Sequence, residues 1–301
     1  MWQNKLQVES TFKSYDTEEF LDKIFYRPLG YVFALSSKQM GISPNTVTII
    51  SIIFGVAAGH LFFYQNMTLN IIGICFLIFA ETLDSTDGQL ARMTNFKSRF
   101  GRILDGFGGN IMFFSIYIHI CIRVVIAGET SWIFLVAVLA GFSHSLQSAV
   151  ADYSRNLYLY IIFDKNKSEL DKLNELYPVY NKFLWKNNFV KKFLMRVYIN
   201  YTKEQEIFLQ KTKNLFYFVQ ENFAYGIPEK IKEEYKALNK PMLKYHNILT
   251  TNTRMIALFI LIFINKPEYY FLFELFVLNG LLVYVIFRQE AISRSLLELI
   301  K

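Results

Sequence analysis

The chain has 301 residues, 53% of them hydrophobic, 17% aromatic and 19% charged, with a formal net charge of +7. A mean hydropathy of +0.24 is high for a soluble protein of this size, and apolar runs alternate with strongly charged ones, as in a multi-span membrane protein with polar extensions. Only two cysteines, Cys75 and Cys121, are present, both inside apolar runs, which excludes a disulfide framework.

In chain order, residues 3–14 are polar and no short apolar core follows the start, so no cleaved targeting segment is expected. Residues 18–27 have the pattern of an amphipathic helix lying on a membrane surface. Ser43-Pro44-Asn45-Thr46 is a helix start: a capping side chain followed by a proline suited to the first turn. A hydrocarbon core about 30 Å thick needs roughly 20 mainly apolar residues per helix. Six such helices are predicted, over 46–64, 69–92, 102–126, 131–163, 250–264 and 269–287, the fifth being short. The expected fold is therefore an all-α polytopic membrane protein of six spans, with an N-terminal amphipathic helix and an inserted helical region.

Residues 164–247 stand apart. They carry 16 Lys and Arg against 10 Asp and Glu, and so supply +6 of the total +7. Phe208, Leu209, Leu215, Phe216 and Val219 recur at helical spacing, as in amphipathic helices that cap a bundle or meet anionic headgroups, although a solvated, merely structural insertion is the first expectation. Three parts follow: 1–163, the insertion 164–247, and 248–301. Positive charge sets the orientation. Lys5, Lys13, Lys23, Arg27 and Lys38 precede the first span. Arg92, Lys97, Arg99 and Arg102 join the second to the third, and Arg288, Arg294 and Lys301 follow the sixth. The opposite loops are nearly bare, so both termini are expected on the cytoplasmic side. Positive-inside topology explains the basic charge, and no nucleic-acid motif accompanies it.

The informative segment is Glu81-Thr-Leu-Asp84-Ser-Thr-Asp87-Gly88-Gln-Leu-Ala91-Arg92, followed after eight residues by Gly101 and then Asp105. Carboxylates within membrane spans are costly and mark function. Asp84 and Asp87 share one helix face. The next span returns antiparallel and begins near Asp105, which brings three acids to one membrane edge. Three unneutralised aspartates repel one another at low dielectric. A hard divalent cation such as Mg²⁺, which also binds substrate phosphates, is the natural remedy. The small residues Gly88, Ala91, Gly101, Gly106, Gly108 and Gly109 permit close approach of ligand and neighbouring helix, and Arg92 and Arg102 are suited to phosphate contacts.

These residues resemble the signature of the CDP-alcohol phosphotransferases, D-x-x-D-G-x-x-A-R-x8-G-x-x-x-D-x-x-x-D. Asp84, Asp87, Gly88, Ala91, Arg92, Gly101 and Asp105 match it in identity and spacing, and Ser-Pro44-Asn45-Thr-Val-Thr48 resembles the family's approach to its first span. The resemblance covers about 27–163 and the last two spans, not the insertion. It implies that Asp84, Asp87 and Asp105 ligate Mg²⁺, with Mn²⁺ an alternative, at the pyrophosphate of a CDP-linked donor. The donor would be a CDP-lipid such as CDP-diacylglycerol. Gly88, Ala91, Arg92 and Gly101 would shape the nucleotide site, and an alcohol acceptor would displace CMP, as in phospholipid biosynthesis. A homodimer is implied by resemblance only.

The departure is at the last motif position, where the family has a fourth aspartate, the usual base, and this chain has Gly109 followed by Asn110. Three accounts stand side by side. Glu81, one turn before Asp84, fills the space left at position 109, with Asp152 the next substitute. A substrate phosphate or bound water takes the proton instead. Or the protein binds a CDP-lipid without turnover. His144, Ser148, Asp152 and Arg155, with Gln147 beside them, form a polar stripe suited to an acceptor cavity or, alternatively, to interhelical hydrogen bonds. Arg254 is placed either to bind an anionic acceptor or to snorkel to the interface. His60 and His119, far from the acids, read as packing residues.

Overall fold

The computed structural model describes residue 9 and residues 11–96, 98–163, 167–223 and 225–301. Lys5 and Lys97, counted above toward orientation, and residues 164–166 at the start of the insertion lie outside them. The described residues form helices and the turns between them, with no strand. A π-helical turn (Asp22–Tyr26) leads into α1 (Arg27–Gln39), followed by α2 (Pro44–Leu61), α3 (Met67–Met93), α4 (Arg99–Ile126) and α5 (Ile133–Ile162). Then come α6 (Leu173–Lys182), α7 (Trp185–Phe208), α8 (Gln210–Asn222), α9 (Glu229–Asn239), α10 (Leu243–Ile248), α11 (Thr251–Phe263) and α12 (Tyr269–Leu272). A π-helical turn (Phe273–Leu278) joins α12 to α13 (Asn279–Ile300).

Six helical runs are long and apolar enough to cross a membrane: Pro44–Leu61, Met67–Met93, Arg99–Ile126, Ile133–Ile162, Glu229–Phe263 and Tyr269–Ile300. All six match predicted spans. The fifth is composite: α11, its apolar end, has 13 residues and is therefore only about 20 Å long. The sixth runs 13 residues past the apolar stretch, to Ile300, because Gln289, Ile292, Ser293, Leu296 and Leu297 are buried along one face of α13. The N-terminal helix also exceeds its expected bounds of 18–27. Pro28 sits in the first turn of α1, where a proline is tolerated, and the helix stops only at Gly41, whose φ of 68° favours glycine. Phe20, Ile24, Leu29 and Val32 are exposed along this helix, while Glu18, just ahead of it, receives both Nε and Nη2 of Arg27 at 3.0 and 3.1 Å.

The chain packs as two compact units, Met1–Gly141 with Met255–Phe273, and Phe142–Arg254 with Glu274–Lys301. These cut across the three compositional parts, because composition follows the partition between membrane and water whereas packing follows which faces are buried together.

In the first unit α2 is clamped between α3 and α4. Ser51 donates to the Ala80 carbonyl on α3 at 2.8 Å, and Ser115 of α4 donates to the Val56 carbonyl at 2.9 Å. Gly55 and Gly59 make the α2–α4 crossing close: a Cβ on Gly59 would stand 2.6 Å from Ser115 Oγ and 2.7 Å from the Ile116 backbone nitrogen. This is small-residue packing of membrane helices. Gly59→Ala is expected to destabilise the protein by about 1–3 kcal/mol, since backbone must move. Gly106→Ala, at a site with nothing within 4 Å, should leave thermal unfolding in detergent almost unchanged. Equal melting of the two variants would contradict the close crossing. His60 and His119 meet at 3.2 Å within this packing, as read from the sequence. Arg123, buried at the other end of α4, donates to the Phe62 carbonyl and to Asn265 Oδ1.

In the second unit the insertion is not a loose solvated excursion. Leu215, Phe216 and Val219 of α8, with Ile231 and Tyr235 of α9, form one core with Leu157, Tyr158 and Ile161 of α5 and Leu296 and Leu297 of α13. Glu290 accepts the backbone N–H groups of Lys211 and Thr212 at 2.8 and 2.9 Å, and so caps the start of α8 from another helix.

Candidate metal and nucleotide site

The site lies in the first unit, where α3 ends, turns and returns as α4. Thr94 and Phe96 donate backbone N–H groups to Leu90 and Ala91 carbonyls, Asn95 takes a left-handed φ of 52°, and Ser98 caps α4 by accepting the Gly101 N–H at 2.9 Å. This reversal places Asp105 opposite Asp84 and Asp87. One carboxylate oxygen from each of the three lies within 4.8 Å of the others. Asp87 is buried, and Asp84 and Asp105 are half-buried.

The first turns of α2 form a third wall. Ser43 caps the helix by accepting the Thr46 N–H, and Pro44 opens it, as the sequence indicated. Thr48, one turn on, directs its hydroxyl at Asp87 Oδ2. A Cβ on Gly101 would come within 2.8 Å of Asn45 Oδ1, so only glycine lets α4 pass Asn45 so closely. Sequence reasoning marked Asn45 and Thr48 as a helix start but missed that both reach the motif; the signal was their spacing of two and five residues from the cap at Ser43. Thr48→Val should lower metal-dependent turnover by about tenfold, the usual scale for groups that orient metal ligands, without a comparable loss of thermal stability. Unchanged turnover would remove Thr48 from the site.

Arg92 folds back over Gly88: a Cβ there would meet Arg92 Nη2 at 3.4 Å. The guanidinium thus lies along the last turns of α3, over Gly88. Gly88, Ala91, Arg92 and Gly101 all lie at this reversal.

The sequence-derived substitutes for the missing aspartate fare differently. Position 109 is open, with nothing within 4 Å of where its Cβ would stand. The Glu81 carboxylate therefore does not fill that space, contrary to expectation. The like charges of Asp22 and Glu19 in the N-terminal segment repel it, as Asp105 does more weakly. Tyr26 adjoins Glu81 there. Burial, then the Glu81 charge, push its phenol above the ordinary range, so it stays a neutral hydroxyl. Asp152 belongs to the second unit, where its carboxylate accepts from Asn156 at 2.8 Å and Gln205 at 3.4 Å.

The polar stripe and Arg254 also resolve in the second unit. Arg254 is 1% exposed and does not snorkel. Its Nε stands 3.2 Å from Glu274 Oε1, an ion-pair contact rather than an aligned hydrogen bond. Its Nη1 and Nη2 donate to the Leu249 carbonyl and Gln147 Oε1. His144 Nδ1 lies 3.1 Å from the same Glu274 oxygen. This part of the stripe makes interhelical bonds instead of lining an open cavity.

Residues 41–158 match the family model described as CDP-alcohol phosphatidyltransferase, a span that contains every motif residue. This region is similar to the CDP-alcohol phosphatidyltransferase domain. Among curated proteins, an archaetidylinositol phosphate synthase of Pyrococcus horikoshii is 42% identical over 67 residues, which is 22% of this chain and 34% of that protein. The chain thus spans about a third of the length of the relative it matches. No solved structure matches the chain at a significant level.

Proposed function

We propose that the protein is a divalent-metal-dependent membrane transferase that moves a substituted phosphate from a CDP-linked donor, CDP-diacylglycerol first, to an alcohol, with release of CMP. The observation that carries this reading is the approach of Asp84, Asp87 and Asp105 to within 4.8 Å. The three fit a cation. They are all hard oxygen donors, and bonds of about 2.1 Å on Mg²⁺ set ligand oxygens roughly 3–4 Å apart, so only a small contraction is needed. Mn²⁺ satisfies the same donors. When bound, the metal would supply Lewis-acid neutralisation of the phosphates.

The protein's own residues supply the rest. Thr48 orients Asp87, leaving its other oxygen for the site. Gly88 and Gly101 keep the reversal free of side chains, so the donor's phosphates approach backbone. Arg92 adds a fixed positive charge that stabilises the CMP phosphate as the bond to it lengthens. The site is assigned to the cytoplasmic rim, with both termini on that side, from the charge of the flanking segments. The decisive measurement is CMP release from CDP-diacylglycerol in purified proteoliposomes, abolished by EDTA and restored by Mg²⁺ or Mn²⁺. Metal-independent release, or none with any alcohol acceptor, overturns it.

The openness at Gly109 favours a second reading, a CDP-lipid binder without turnover. Gly109→Asp separates the two. The new side chain meets no steric obstacle, so the variant should fold. If a missing base limits the reaction, CMP release rises by about a hundredfold or more, within the 10²–10⁴ range of general-base catalysis. A folded variant no faster than an already active parent shows that no base is needed at this position, and one as inactive as an inactive parent supports the binder.

A further inference from the structure

The first part of α7 carries an exposed apolar stripe that the proposed chemistry does not use. Trp185, ahead of a kink at Asn188 (φ −136°, ψ 38°), and Phe189 and Phe193, one turn apart beyond it, are 46%, 63% and 41% exposed, with Leu184 and Val190 also exposed beside them. The Trp185 and Phe189 ring centroids are 5.6 Å apart, and Phe189 stacks on Phe193 at 6.4 Å. They form one continuous surface rather than scattered residues. The opposite face of the helix holds its own core contacts through Leu194, Met195 and Ile199, so the stripe is not needed to hold α7 in place.

Charge narrows the occupant. Between Glu175 and Glu204 the chain has six basic residues and no acidic one. Lys182, Lys186, Lys191 and Arg196 are exposed on the same segment. Lys192 is folded inward, donating to the Phe183 carbonyl at 2.7 Å and lying 4.7 Å from the Tyr180 ring. Aromatic residues between unopposed lysines are the composition of a helix that lies in an anionic bilayer interface.

Position points the same way. At the far end of α7, Glu204 accepts from Ser145 at 3.1 Å, and Gln205 donates to Asp152 at 3.4 Å. Ser145 and Asp152 lie 12 and 19 residues into α5, about 18 and 28 Å along a core about 30 Å thick. That end of α7 therefore runs beside the second half of a membrane span, near the rim where it emerges. Tyr198, midway along α7, donates to Asp171 at 3.0 Å, nine residues beyond the end of α5. The insertion is thus tied to the second half of α5 and to the segment that follows it.

We propose that the Trp185–Phe189–Phe193 stripe is an interfacial anchor that embeds in the anionic headgroup region of the membrane the chain spans. Its occupant is lipid, not a second copy or another protein. The full-length chain has three tryptophans, and Trp2→Phe with Trp132→Phe leaves Trp185 as the reporter. In vesicles of phosphatidylcholine and phosphatidylglycerol in equal parts, Trp185 emission should shift to the blue. Lipids brominated high on their acyl chains should quench it more than lipids brominated near the chain ends. Lys186→Gln with Lys191→Gln, and separately phosphatidylcholine vesicles alone, should each weaken both effects. Phe189→Ser with Phe193→Ser should abolish the quenching while α7 stays folded by circular dichroism and melting. Emission typical of water without quenching overturns the proposal. So does quenching indifferent to lipid charge and to the lysine variants, or a blue shift that follows protein-to-lipid ratio instead of lipid composition, which indicates a second copy.

Discussion

Asp84→Asn, Asp87→Asn and Asp105→Asn are each expected to lower CMP release by about a hundredfold or more, while making the metal-free protein no less stable. The first half follows from the Lewis-acid contribution of a bound cation, several kcal/mol, with every 1.4 kcal/mol worth a factor of ten in rate. The second half follows from the geometry. Three carboxylates within 4.8 Å, partly withdrawn from water, repel one another, and neutralising one relieves that repulsion. Adding Mg²⁺ should then raise the melting temperature of the parent protein, because ligand that binds only the folded state stabilises it by mass action. The three variants should lose most of that rise. This split, lost metal response without lost intrinsic stability, separates ligands from structural aspartates. If all three melted lower in EDTA and still responded to Mg²⁺, the cluster would be a packing feature and the proposed chemistry would have no site.

The spans and the motif were legible because each rests on local information. A run of about twenty apolar residues has few alternatives in a membrane. Asp84, Asp87 and Asp105 are brought together by one helix reversal, which their spacing alone encodes. The polar neighbourhood was less legible. That Asn45 would press on Gly101, or that Thr48 would reach Asp87, depends on how α2 crosses α3 and α4. That crossing is set by the glycines at 55 and 59 packing against Met112, Ser115 and Ile116 on α4, a relation between helices with no sequence period of its own. Position 109 failed in a different way. Matching the depth of Glu81 to that of Gly109 was not enough, since no side chain comes within 4 Å of where a Cβ at 109 would stand. The last helix was cut short at residue 287 because the apolar run ended there, although the buried face of α13 continues at 289, 292, 293, 296 and 297, a helical period that could have been read.

Arg254→Met should be the most destabilising single change outside the metal site, by about 3–5 kcal/mol, the cost of leaving a buried charge without its partner. Sequence offered two roles for this arginine, an anion contact or a snorkelling side chain, and both require an accessible guanidinium. In the folded second unit Arg254 and Glu274 are 1% and 0% exposed, and His144 and Gln147 close around them. The pair sits at a structural irregularity, since Glu274 lies in the π-helical turn between α12 and α13. Its backbone carbonyl is the acceptor for Gln147 Nε2 at 3.1 Å. Removing the arginine therefore strands the carboxylate and weakens the bond network that holds the widened turn. Because the loss is mainly that of an unpaired group, not of an inherently strong pair, Arg254→Met combined with Glu274→Gln should melt well above Arg254→Met alone. A double-mutant cycle would read the coupling directly. Additive losses would mean that the two side chains act independently. A full loss of CMP release in a double variant that melts normally would return Arg254 to the role of anion contact.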